Sequence, residues 1–129
     1  MKGNPFKLTV SDDGSLRIRA KGVARKTIET EIKENYFEEK GIKNLDKLRP
    51  DGYKDGVWYE VKVGSKIMRG TDWIKCSEYF PDIYFPPYYA GIDIQIDSYI
   101  NYGYCPLEVI VFDYDKKTII QSKIFCERR

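Results

Sequence analysis

Histidine is absent from the 129-residue chain, and cysteine is scarce. Without histidine, the chain has no imidazole for acid–base catalysis or for binding zinc. The three cysteines, Cys76, Cys105 and Cys126, are far apart and form no CxxC pair, so we expect neither a disulfide framework nor a zinc knuckle. Any catalysis therefore has to use carboxylates, lysine, tyrosine or cysteine, with or without a metal that prefers oxygen ligands.

Long apolar runs are also lacking. No stretch approaches the roughly 20 residues of a membrane-spanning helix, and the first residues, MKGNPFKLTV, lack the apolar centre of a signal peptide. We therefore expect a cytoplasmic protein with no membrane partner, folded as one domain over 1–129. The net charge of +2 is too small to indicate a polyanionic partner by itself, although 22 basic side chains suffice for a local basic patch.

Several segments have the two-residue periodicity of β-strands. Residues 6–19, FKLTVSDDGSLRIR, alternate apolar and polar side chains around a turn at Asp13-Gly14, which predicts a β-hairpin. The segment GVWYEVKVG, residues 56–64, reads as a strand between glycines. The segment PLEVIVFDYD, residues 106–115, reads as a buried strand, and after a turn KTIIQSKIF, residues 117–125, reads as another.

Two segments have helical periodicity. Within residues 23–37, Ile28, Ile32 and Tyr36 recur at helical spacing, and Gly41 follows where a helix would end. A strand is the alternative for this segment, because its apolar residues also fit a period of two and its threonines favour strands. The segment IDIQIDSYINYG, residues 92–103, has one helical face that carries Ile92, Ile96, Tyr99 and Ile100.

The aromatic segment EYFPDIYFPPYYAG, residues 78–91, separates the strand at 56–64 from the second predicted helix. Its prolines exclude a regular element, so we expect a structured loop. The predicted order is thus hairpin, helix, strand, loop, helix, strand and strand. This order is typical of an α/β fold built around a mixed sheet.

Charged residues interrupt the apolar strand at 56–64. Alternation puts the valines and Tyr59 on one face and Trp58, Glu60 and Lys62 on the other. A buried carboxylate or ammonium needs a partner, and Asp51, just before the strand, can share a divalent cation with Glu60 through oxygen ligands. Lys62 emerges on the same face as Glu60, where its ammonium can position a water or stabilise charge on a phosphate.

These residues resemble the core motif of the PD-(D/E)XK nuclease superfamily, through Pro50-Asp51 followed by Glu60-Val61-Lys62. The acid-x-Lys triplet alone is weak, because it occurs four times, at Glu31/Lys33, Glu38/Lys40, Glu60/Lys62 and Asp115/Lys117. Only the third lies in an apolar strand with a Pro-Asp pair upstream. The second Pro-Asp pair, Pro81-Asp82, is not followed by a triplet within an apolar strand. The resemblance covers roughly residues 23–120, although the motif occupies only Pro50 to Lys62.

The resemblance implies a restriction-endonuclease-like core, a mixed central sheet flanked by helices, with the N-terminal hairpin as an addition. It also implies a Mg²⁺-dependent DNA nuclease that leaves 5′-phosphate ends. Asp51 and Glu60 would hold the metal, for which Mn²⁺ is expected to substitute, and the Val61 carbonyl would be a further ligand. Lys62 would assist the attacking water.

Many superfamily members add a glutamate from the helix before the motif. Glu29 is the better candidate here because it borders the packed face of the predicted helix, and Glu31 is close behind. The small size, Lys21-Gly22 and the EVKV strand are similar to archaeal-type Holliday junction resolvases. The serine and basic residues that those enzymes carry between helix and motif have no clear counterpart, and a restriction-like or phage-type nuclease is equally compatible.

DNA is the expected partner. Lys54, Lys66 and Arg69 are near the motif in sequence and would contact phosphates. The aromatic segment is more typical of a core, a lid or a dimer contact than of a platform that stacks on unpaired bases. Because cleavage of two strands needs two sites and the chain offers one, we expect a homodimer.

Three other interpretations stay open. Glu60 and Lys62 could be solvated charges on an exposed edge strand. The protein could also bind nucleic acid without turnover. If residues 23–33 continue the N-terminal hairpin, it could instead be a structural β-protein.

Overall fold

A computed structural model describes residues 8–10, 16–18, 25–45, 49–70, 72–75, 77–89 and 91–126. The predicted turn at Asp13-Gly14, the Lys21-Gly22 pair and Cys76 lie outside these residues. The described part contains a five-stranded mixed sheet with helices packed on both faces. The expected α/β class with a mixed central sheet is therefore confirmed.

The N-terminal hairpin forms as predicted. β1, Leu8–Val10, pairs antiparallel with β2, Leu16–Ile18, as a separate two-stranded sheet. Leu8 lies opposite Ile18, and Val10 lies opposite Leu16. The alternating apolar positions of the two strands are thus in register with one another, as the sequence pattern requires.

Residues 25–40 form one helical segment, so the strand alternative for this part of the chain is wrong. The segment consists of α1, Arg25–Glu31, a π-helical turn, Ile32–Tyr36, and α2, Phe37–Lys40. Gly41 ends it with a φ of 75°, a left-handed conformation that glycine adopts without strain. The predicted helix and its glycine cap are confirmed.

The π turn changes which aromatic side chain enters the core. Phe37 N–H donates to the carbonyl of Ile32, five residues earlier, so this turn holds one residue more than an α turn. Ile28 and Ile32 are fully buried, as the helical spacing predicts, but the next fully buried side chain is Phe37. Tyr36 is only half-buried, at the margin of the same cluster. The predicted apolar stripe is therefore shifted by one residue after Ile32.

The five strands lie in the order β3-β4-β5-β6-β7. They span Lys43–Asn44, Gly52–Lys54, Val57–Gly64, Leu107–Asp113 and Thr118–Phe125. β5 and β6 run parallel, and the other neighbours are antiparallel. The three long strands are those that the periodicity predicts. β3 and β4 were not predicted, because two or three residues are too few to show a period.

Different parts of the chain cover the two faces of the sheet. The helical segment 25–40 packs on one face, against Val61, Val63, Ile110 and Phe112. The other face is covered by the aromatic segment and by α3, Ile92–Asn101, which together pack on Leu107, Val109 and Val111. α3 lies on the crossover between β5 and β6, which parallel neighbours require. No helix in the described part of the chain is long and apolar enough to cross a membrane.

One disulfide joins Cys105 to Cys126, although the scattered cysteines gave no indication of a disulfide framework. Cys105 lies before β6 and Cys126 directly follows β7, and Leu107 is opposite Phe125 in the antiparallel pair. Strand pairing therefore brings the two sulfur atoms together across 21 residues of sequence. Spacing alone carries no sign of this pairing, because it depends on the register of β6 and β7.

Replacing Cys105 by serine should lower the free energy of unfolding by about 3 kcal/mol, because the unfolded chain regains the freedom of a loop of this length. Denaturant titration of the oxidised protein measures this change. Reducing the wild-type protein with a dithiol should cause the same loss and should leave the Cys105→Ser variant unaffected. Equal stability of reduced and oxidised wild-type protein would contradict the disulfide.

Candidate active site

Asp51 is fixed against the middle of β5 because β4 is short. The pairing of β4 with β5 ends at Gly52, opposite Tyr59. The next N–H on that edge, from Val61, donates to Asp51 Oδ2 at 2.8 Å. A Cβ atom at Gly52 would lie 2.6 Å from Phe37 Cε2, so glycine lets the chain pass close under the helix. Asp51 thus takes the place of a strand partner and presents its carboxylate beside Glu60.

Glu60 and Lys62 lie on the α3 side of β5 and are 3% and 5% exposed. This burial by itself excludes the interpretation of Glu60 and Lys62 as solvated charges on an exposed edge strand. Lys62 Nζ is 3.1 Å from Glu60 Oε2 and donates to the side-chain oxygen of Gln95 on α3. It also lies 4.7 Å from the ring centre of Tyr89. The ammonium is therefore held by groups from two elements besides its own strand.

Glu29 is the helical glutamate that the structure brings to this cluster. Its carboxyl interacts electrostatically with the charges of Lys62, Asp51, Lys33 and Glu60. Its Oε2 is buried and has no hydrogen-bond partner in the described residues. Glu31 Oε1 instead accepts a hydrogen bond from Asn35 at 2.6 Å. The helix thus directs the two candidates to different neighbours.

Burial controls the electrostatics of the two acids. It raises the pKa of Glu29 to about 7, against the opposing effect of Lys62 and with a further increase from Asp51. Burial likewise raises the pKa of Glu60 to about 7, although the Lys62 ammonium lowers it. Positive charge near these carboxylates is therefore too small to offset their removal from water.

Further residues of the cluster were not predicted from the sequence. Lys33 Nζ is 3.5 Å from Asp51 Oδ1. The contact with the Tyr99 side chain raises the pKa of Arg49, and burial followed by the charge of Glu60 raises the pKa of Tyr99. Lys33 lies four residues after Glu29, but that spacing predicts only an ordinary surface pair on a helix. Nothing local in the sequence indicates that Arg49 and Tyr99 meet.

The three predicted DNA-contacting residues do not lie together. Lys54 is opposite Val57 at the start of β5, on the face covered by the helical segment, and its ammonium donates to the Lys40 carbonyl at 2.7 Å. Lys66 and Arg69 follow the other end of β5, and at roughly 3.3 Å per residue that end lies about 23 Å from Val57. Their role in binding DNA stays a prediction, but one shared basic patch with Lys54 does not form.

Among the described residues, no group of three or more acidic, histidine or cysteine side chains is already arranged to hold a metal ion. Lys33 and Lys62 lie against two of the three carboxylates. No family model matches the chain, and no curated protein or solved structure matches it either. The assignment of a function therefore depends on the motif and on the geometry of this cluster.

The raised pKa values predict how stability depends on pH in the absence of metal. Both carboxyls bind a proton more tightly in the folded chain, so their stabilising contribution is present below pH 4.5 and is lost as pH rises through about 7. The free energy of unfolding should therefore fall between pH 5 and pH 8, by roughly a few kcal/mol. Denaturant titrations in EDTA across this range measure the change.

Glu60→Gln should flatten this pH dependence, because glutamine does not titrate. Glu38→Gln serves as the matched control, since Glu38 is an exposed acid at the far end of the same helical segment. The control should retain the wild-type pH dependence. A free energy of unfolding that rises steadily from pH 5 to pH 8, equally in the wild type and in Glu60→Gln, would contradict the prediction.

Proposed function

We propose that the chain is a Mg²⁺-dependent nuclease that hydrolyses phosphodiester bonds in DNA, with the restriction-endonuclease-like core that its motif implies. The observation that carries the proposal is the burial of Glu60 and Lys62 side by side on β5, next to Asp51 and Glu29. Replacing such a buried pair by apolar residues is often neutral or stabilising. Buried ionisable side chains that form a cluster and have shifted pKa values are typical of functional sites.

The order of the elements supports the same proposal. A helix precedes the strand that carries the motif, and α3 leads from this strand to a parallel neighbour. The superfamily places a helix and a strand in these positions after the motif. The fold thus agrees with the motif on which the resemblance depends.

The acidic residues fit a hard divalent cation. Glu29 Oε2 and Glu60 Oε1 are buried and have no hydrogen-bond partner in the described part of the chain. Carboxylate oxygens are the ligands that Mg²⁺ and Mn²⁺ prefer in proteins. Asp51 and Glu60 would hold the ion, with Glu29 and the Val61 carbonyl as further ligands. When bound, the ion would polarise the phosphate and lower the pKa of a water molecule.

The contacts of Lys62 support a role in phosphate chemistry. Its ammonium is restrained by the Glu60 carboxylate, the Gln95 side-chain oxygen and the face of the Tyr89 ring. A cation that is fixed before the reaction stabilises developing negative charge without having to reorganise. Lys62 would therefore orient the attacking water or stabilise the charge that develops on the phosphate.

A DNA-binding protein without turnover is the second candidate. It is favoured by the two ion pairs, Lys33 with Asp51 and Lys62 with Glu60, which partly neutralise the acids without any metal. Such a protein would bind DNA equally well in EDTA and in Mg²⁺. For the nuclease, we retain the homodimer, because each chain has one candidate site and duplex DNA has two strands.

Substitutions of the motif residues test the nuclease proposal. Glu60→Gln should abolish Mg²⁺ binding and cleavage, because it removes one charge and nearly preserves the shape of the side chain. Asp51→Asn should have the same effect, because it also removes one charge. The variant should stay folded, since its amide oxygen can still accept the hydrogen bond from Val61 N–H. Lys62→Met should still bind metal but cleave at least roughly 100-fold more slowly, the scale of losing one electrostatic stabiliser.

Calorimetric Mg²⁺ titrations and cleavage assays on linear, circular, single-stranded and four-way-junction DNA measure these effects. Glu38→Gln is again the control and should behave as the wild type, because Glu38 is exposed on the surface. Circular dichroism at matched temperature shows that each variant is folded. Absence of Mg²⁺ and Mn²⁺ binding in the wild type, with nucleolysis unchanged in Glu60→Gln, would refute the assignment.

The predicted phosphate contacts can be tested separately from catalysis. Lys66→Ala and Arg69→Ala should each weaken DNA binding and reduce the slope of log K against log salt by about one unit. Lys54→Ala should have a smaller effect, because the Lys54 ammonium is bound to the Lys40 carbonyl on the other face of the sheet. Salt-dependent fluorescence anisotropy measures both quantities. If Lys66→Ala and Arg69→Ala match the wild type, DNA follows a different path.

A further inference from the structure

Lys33 lies in the one π-helical turn of the described residues, directly beside the candidate metal ligands. π turns are rare and are found frequently at functional sites. Here the turn is anchored from outside the helix, because Asn44 Nδ2 donates to the Lys33 carbonyl at 3.3 Å. The position of Lys33 is thus supported from β3 as well as by its own helix.

The Lys33 ammonium is paired with Asp51, although Glu29 lies four residues earlier on the same helix, at the usual spacing for a helical ion pair. Asp51 Oδ2 accepts the Val61 N–H, and Lys33 Nζ approaches the other oxygen, Oδ1. A metal ion that binds at Oδ1 would therefore have to exchange with this ammonium.

The geometry of the pair makes such an exchange easy. The separation of 3.5 Å is long for a charge-assisted hydrogen bond, and the side chains of Lys33 and Asp51 are 24% and 15% exposed. Partly exposed pairs of this kind shift an equilibrium by less than about tenfold. A lysine ammonium on its flexible stem also keeps its charge when it moves a few ångström towards solvent.

We propose that Lys33 is a tethered counter-ion of Asp51, which a divalent metal displaces and which then contacts the phosphate of the substrate. The inference rests on the proposed function, since it concerns the same site. The ammonium prevents repulsion among Glu29, Asp51 and Glu60 while no metal is bound. After displacement, the same charge stays on the partly exposed side of the cluster, where it can contact an anionic backbone.

Lys33→Met tests the inference, because methionine retains most of the stem and lacks the charge. Removing a cation that competes with the metal should tighten Mg²⁺ binding about threefold to tenfold, measured by calorimetry with Mg²⁺ alone. The same variant should bind a linear DNA duplex in Ca²⁺ about tenfold more weakly and should show a higher KM, because one phosphate contact is lost. Lys33→Arg should restore DNA binding.

Lys43→Met is the matched control, because Lys43 is an exposed lysine on β3, and it should change neither affinity. A purely structural role for Lys33 predicts a lower melting temperature and an unchanged or weaker metal affinity in Lys33→Met. If the wild type binds Mg²⁺ and cleaves DNA, an unchanged or weaker metal affinity in Lys33→Met would overturn the inference. Tighter metal binding with unchanged DNA affinity would overturn the phosphate contact.

The wild-type titration separates this inference from the proposed function. If the wild type does not bind metal and Lys33→Met does, the metal cannot displace Lys33, so the inference and the nuclease assignment of the wild type are both wrong. If neither protein binds metal, both the inference and the nuclease assignment are wrong. If both bind with equal affinity, only the inference is wrong.

Discussion

The buried ion pair of Glu60 and Lys62 is the interaction on which the surrounding structure depends. An isolated charge in the interior of a protein is strongly unfavourable, so each member of the pair needs polar neighbours from other segments. α3 supplies the side-chain oxygen of Gln95, and the segment before it supplies the ring of Tyr89. The side of the sheet that would otherwise be an ordinary apolar layer is thereby organised around one lysine.

The other side of the cluster depends on backbone geometry. β4 has only three residues, so β5 loses its strand partner after Tyr59, and a carboxylate takes the next hydrogen bond. The π turn then shifts the helix by one residue, which brings Phe37 into the core beside Gly52, and Lys33 within this turn is paired with Asp51. A short strand and a widened turn together create the space in which three carboxylates and two ammonium groups meet.

Elements with a long, uninterrupted period were predictable from the sequence. The strand at 57–64 and the helix at 92–101 follow directly from alternation and from helical spacing, because each buries one continuous set of apolar side chains. Prediction was less accurate where the period breaks. The expected stripe through Tyr36 is shifted to Phe37, because an α-helical period cannot anticipate a turn with one extra residue.

Short elements and distant pairings were beyond the reach of such patterns. β3 and β4 were missed, although Asp55-Gly56 between β4 and β5 is a turn pair that could have indicated a hairpin. The disulfide of Cys105 and Cys126 was missed as well, because only the register of β6 and β7 brings those residues together.

The order of residues along the chain was enough to place Glu60 and Lys62 on one face of a strand and to put Asp51 before it, because alternation is a property of any β-strand. The resemblance to the nuclease superfamily, and not a local pattern, suggested a glutamate on the preceding helix. The tertiary structure decided that Glu29 meets the cluster while Glu31 bonds to Asn35, and that Lys33, Gln95 and Tyr99 join it. Contacts between segments tens of residues apart depend on packing and strand register, and no local spacing records them.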